Sequence, residues 1–82
     1  MTSAPENRPL PPDPEGMNEW RADWAGLAIA AFMAATGTDL EDALPDLLAD
    51  LMHWCDRAGF DFDTALERGR DHYAAETMGE AP

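Results

Sequence analysis

The chain contains no lysine, one serine and one cysteine among its 82 residues, and each scarcity removes a group of chemistries. Without lysine there is neither a Schiff base nor a P-loop, and no cluster of glycines is present to cradle a phosphate. The single serine, Ser3, lies in a proline-rich start, so a serine nucleophile held on a rigid element is excluded. Cys55 has no second cysteine to pair with inside the chain, a condition met most simply in a reducing cytoplasm. The start MTSAPENRP lacks a basic run followed by an apolar segment, so no signal peptide is expected. Long hydrophobic runs are also missing. The longest mainly apolar stretch, Trp24 to Ala35, falls far short of the roughly 20 residues needed to span a bilayer and reads as a buried helix. Positive charge is scarce as well: five arginines face 17 acids, for a net charge of −12. Such a surface repels phosphate backbones, so no direct binding to nucleic acid and no membrane association are expected, whereas a basic protein surface or a divalent cation is attracted.

The length allows one domain with a modest core, which gains from efficient helix packing or from a partner's buried area. Residues 1–13 carry Pro5, Pro9, Pro11 and Pro12 among small polar residues and are expected to form a disordered tail. Because Met17 directly precedes the amphipathic pattern, removal of residues 1–16 is expected to leave the melting temperature nearly unchanged. A single helical domain then covers 14–78, and 79–82 should fray.

Asp13 and Pro14 can serve as N-cap and first helical residue, after which Trp20, Trp24, Leu27, Ala31 and Ala35 recur at helical spacing. A first helix over about 14–36, its start falling between 14 and 18, follows, ended by a left-handed Gly37. Its second half, WAGLAIAAFMAA, is apolar nearly all round, which implies burial on more than one side. Thr38 and Glu41 fit a capping box for a second helix over 38–58. There Leu40, Leu44, Leu47, Leu51, Trp54, Cys55 and Ala58 keep one apolar stripe in phase through Pro45, which should kink the helix, the alternative being a short helix followed by a second that begins at Pro45. Gly59 reads as the next cap, with Phe60 packing back. Asp61 caps a third helix over 61–77, whose buried face carries Phe62, Leu66, Gly69 and Tyr73. No stretch alternates long enough to make a strand. The expected fold is all-α, a small bundle of three main helices.

The stretch DLMHWCDRAGFDFD holds the reactive side chains His53 and Cys55. Two residues apart on a helix, they point about 200° from each other and cannot share one ion unaided. Cys55 falls on the leucine stripe and reads as a small, inert hydrophobe. His53 borders that stripe, near enough in phase to pair with His72 or with an aspartate of the third helix. No catalytic residue, no metal site and no cofactor are expected. What remains is carboxylate density. Asp42, Asp46 and Asp50 form a row stepping about 6 Å along the second helix, with Glu41 beside it. The first-turn acids gain from the helix dipole, while like charges four residues apart cost about 0.2–0.5 kcal/mol per pair. Glu41, Asp42, Asp46 and Asp50 are therefore candidate partner-binding residues. Trp20, flanked by Glu19 and Asp23, is the candidate apolar anchor, although tryptophans at helical spacing are most often core.

Two resemblances bear on this reading. Asp42 to Leu66, DALPDLLADLMHWCDRAGFDFDTAL, resembles the second half of the MazG-like all-α nucleotide pyrophosphohydrolases, in which an acidic helix is followed by a glycine turn and an acid-capped helix. That family holds magnesium through an E-x-x-E pair and a later E-x-x-D pair. The resemblance places Asp46 at the last acid, but its partner position holds Ala43, and Trp20 to Ala35 offers no E-x-x-E. The whole chain, short, acidic and rich in alanine, aspartate and tryptophan, is similar to small proteins of phages and mobile elements. Among these are anti-CRISPR inhibitors, which occupy basic surfaces meant for nucleic acid. The expectation is a non-enzymatic, cytoplasmic interaction protein that binds a basic protein or nucleoprotein complex as a nucleic-acid mimic. The alternatives are a degenerate magnesium-dependent nucleotide hydrolase and a homodimeric module using the apolar half of the first helix.

Overall fold

The computed structural model describes residues 9–78. The expectation of a disordered tail falls mainly on residues 1–8, and that of a frayed end on 79–82, both outside the described residues. The fold is all-α, with α1 at Asn18–Thr36, α2 at Leu40–Ala58 and α3 at Phe62–Glu76, and no strand among the described residues.

Two glycine caps punctuate the chain as expected. Gly37 (φ 74°) and Gly59 (φ 85°) adopt the left-handed conformation that side chains resist. Their N–H groups donate to the carbonyls of Met33 and Cys55. Phe60 N–H also donates to Cys55 O (3.0 Å), and its ring stacks on Trp54 with centroids 5.3 Å apart. That stack fixes the direction in which the chain leaves α2. Truncating Phe60 to alanine is expected to cost about 1 kcal/mol, read as a lower melting temperature. Asp61 accepts a hydrogen bond from Thr64 N–H (3.0 Å) and starts α3.

The helix starts depart from expectation at two places. The first helix begins at Asn18, the late end of the expected range, and Asp13 and Pro14 are not its N-cap and first residue, because residues 14–16 form a turn in which Gly16 N–H (φ 73°) donates to Asp13 O. The turn swings Asp13 round so that its carboxylate accepts from the N–H groups of Met17 (3.2 Å) and Asn18 (3.3 Å). Asp13 thus still serves two otherwise unpaired donors of the helix start. Glu15 adds a 2.9 Å ion pair to Arg21. These contacts take Asp13 and Glu15 out of the tail expected to be dispensable. Asp13→Ala is expected to lower stability by about 1 kcal/mol, measured by urea denaturation.

The capping box is likewise not made. The N-cap of α2 is Asp39, without a side-chain cap bond, and α2 begins at Leu40. Thr36 and Thr38 hydroxyls instead bond each other at 2.7 Å, and Thr38 N–H donates to Thr36 Oγ1. A local side-chain pairing has outcompeted the cap. Helix α2 runs continuously through Pro45.

Helix lengths and one long-range contact determine the architecture. Helices of 19, 19 and 15 residues are about 28, 28 and 22 Å long. In an up-down-up arrangement the start of α1 and the end of α3 would lie at opposite ends, a helix length apart. Here Asn18 Nδ2 donates to Glu76 O at 2.8 Å, and Arg21 Nε lies 3.4 Å from the Glu76 carboxylate. The end of α3 therefore returns to the start of α1, and Glu76 ties the two together in a small all-α bundle of three helices. The molecule measures 44 × 37 × 18 Å, only one to two helix diameters thick. A bundle this thin encloses little: among the described residues, the buried apolar side chains are Ala43 and Cys55.

Candidate interaction surface

The half-buried residues of α1 are Asn18, Arg21, Ile29, Phe32 and Met33. At 100° per residue they occupy one side of the helix, the side turned to α2 and to the end of α3. Trp20, Trp24, Leu27, Ala31 and Ala34 fall on roughly the opposite side. Trp20 is 59% exposed, Trp24 54% and Leu27 70%. The stripe that sequence periodicity marks as the packing face of α1 is therefore open, and the core assignment of Trp24 and Leu27 is corrected. The chain buries the other side instead because the contact between Asn18, Arg21 and Glu76 sets the rotation of α1. Trp20, Trp24 and Leu27 alone leave roughly 400 Å² of side chain open, comparable with the largest apolar patch of a typical monomer.

The other two helices repeat the pattern. On α2 the inward side carries buried Ala43 and Cys55 and half-buried Leu47, while Leu40, Leu44 and Trp54 on the same broad face stay exposed. Tyr73 on α3 is also exposed, so Trp54 and Tyr73 likewise leave the core role that helical spacing suggested. Cys55 is 7% exposed and free, and His53 is exposed, so the pair does not form a joint site.

The acidic candidates stand clear of this apolar surface. Glu41, Asp42, Asp46 and Asp50 are all exposed, as are Glu19 and Asp23 beside Trp20. On the helical wheel Asp42, Asp46 and Asp50 span the side of α2 turned away from Leu44 and Leu51. The ion pairs found among the described residues are made by Arg21, to Glu15 and Glu76, and none involves the α2 acids. The hydrogen bond from Arg21 to Glu15 raises its pKa, supported by the charges of Glu76, Glu15 and Asp13, so this side chain is cationic at every accessible pH. Sequence reasoning missed this clamp, for it joins residues 55 positions apart that no local pattern links. Near the α2–α3 turn an open hollow of about 600 Å³ is lined by Met52, Asp56, Phe60, Asp61, Phe62 and Asp63, mixing carboxylates with aromatic rings.

The magnesium chemistry of the MazG-like resemblance needs converging acids. Among the described residues no three His, Cys, Asp or Glu side chains gather to hold an ion. Ala43, at the position of Asp46's partner acid, is 0% exposed, so that position faces the protein interior while Asp46 faces out. The residues present do not fit the metal site. Among the described residues no helix is long and apolar enough to cross a membrane. No family model, curated protein or solved structure matches the chain.

Proposed function

We propose that the chain is a non-enzymatic interaction protein whose acidic α2 row engages a basic protein surface. The observation that carries this reading is the pairing of two uncompensated surfaces on one small bundle: among the described residues, α2 carboxylates that make no ion pair and large apolar side chains that stay exposed. Glu41, Asp42, Asp46 and Asp50 supply the long-range attraction, which speeds and selects encounter with a cationic partner. Trp20, with Glu19 and Asp23 beside it, is an apolar contact for whichever protein covers α1. The partner class that fits is an arginine- and lysine-rich surface that otherwise takes nucleic acid. The chain would then act as a nucleic-acid-mimicking inhibitor of the anti-CRISPR kind, directed at a host defence or nucleic-acid-handling complex.

The test is affinity capture from host lysate with the full chain as bait, washed at low and at high salt. The expected result is one basic nucleic-acid-handling complex that is retained at low salt, lost at high salt and displaced by added duplex DNA or RNA. Retention that is indifferent to salt and to nucleic acid would count against the electrostatic reading.

A further inference from the structure

We infer that the open stripe of α1 is the interface for a second copy of this chain, packed antiparallel about a two-fold axis at Leu27. The inference goes beyond the acidic-partner reading and does not depend on it. Trp20, Trp24, Leu27, Ala31 and Ala34 recur at alternating steps of four and three residues, the repeat that lets two helices pack along one seam. Chain composition supplies the orientation. The large members sit at one end of the stripe and the small ones at the other, with Leu27 midway. An antiparallel copy sets Trp20 against Ala34 and Trp24 against Ala31, large into small, while Leu27 meets Leu27. A parallel copy would set tryptophan against tryptophan and leave gaps between facing alanines.

Charge gives the same answer. Residues 24–36 carry no charged side chain, and the acids of α1, Glu19 and Asp23, are confined to its first turns. Antiparallel packing lays those acids beside the partner's uncharged half, whereas parallel packing would bring four carboxylates together. The area suffices for a small specific dimer. Trp20, Trp24 and Leu27 from two copies offer about 800 Å², and the alanine-rich remainder of both helices brings the total near the roughly 1,200 Å² at which specific interfaces begin. The apolar all-round half of α1, which a single chain covers on one side only, is then covered on both.

The experiment is sedimentation equilibrium of the full chain over a hundredfold concentration range, followed by cysteine crosslinking. A dimer of twice 9.0 kDa is expected at tens of micromolar, and Leu27→Asp, at an exposed position that a monomer tolerates, should weaken dimerisation at least tenfold with helicity unchanged. A monomer throughout would overturn the proposal and leave the acidic-partner reading standing. In a Cys55→Ser background, Leu27→Cys should crosslink to itself under mild oxidation, and Trp20→Cys should crosslink to Ala34→Cys in a mixture but not to itself. Self-crosslinking at position 20 would overturn the antiparallel arrangement. These conservative variants keep the test decisive if Leu27→Asp unfolds.

Discussion

Ala43→Asp is expected to unfold the protein at room temperature. Among the described residues Ala43 is one of two buried apolar residues and the one with no exposed surface. A carboxylate there is cut off from water, since the position has no exposed surface. Burying an unpaired charge costs several kcal/mol. A chain this size has roughly 5 kcal/mol of stability to lose. The control is Ala49→Asp, six residues along the same helix and exposed, which should change stability by no more than about 0.5 kcal/mol. Circular dichroism and urea titration distinguish the two. The comparison also bears on function, since an aspartate at 43 is what a MazG-like acid pair with Asp46 would need. An Ala43→Asp chain as stable as the parent would show that α2 is rotated relative to the arrangement described here.

Asp46→Arg combined with Asp50→Arg is expected to reduce capture of the basic partner at least tenfold while leaving helicity intact. Each reversal changes the charge by two, so the net charge moves from −12 to −8 and the molecule stays strongly acidic. Loss of binding would therefore report the α2 row and not the overall charge. The matched control is Glu67→Arg with Asp71→Arg on α3, which makes the same net change elsewhere. It should lower the association rate only slightly. Equal losses in the two variants would mean that net charge, without a localised face, drives the interaction.

Much of the fold was legible because its signals are local. Gly37 and Gly59 mark helix ends through a conformation that other residues resist, and Asp61 caps α3 through a bond spanning three residues. The misread starts were local contests between near-equal options. Gly16 let the chain turn before α1, and Thr36 drew Thr38 away from its cap. What covers the apolar stripes was not legible. Periodicity marks the Trp20, Trp24 and Leu27 side of α1 as apolar, but the rotation of the helix is set by Asn18 and Arg21 meeting Glu76, a contact across most of the chain. The acidic row of α2 was readable as an exposed face, since carboxylates without cations nearby stay in water. The basic sign of the partner proposed above is argued from that charge alone.

The central claim is that Trp20 and Trp24 lie open on the chain alone and are covered by another protein chain. Acrylamide quenching of tryptophan emission tests it most directly, on the chain diluted until sedimentation shows a monomer and again after concentration or addition of the captured partner. The account predicts strong quenching and red-shifted emission in the dilute monomer, with protection on association. Tryptophans already shielded in the dilute monomer would contradict it, because the helices would then close on one another without any partner.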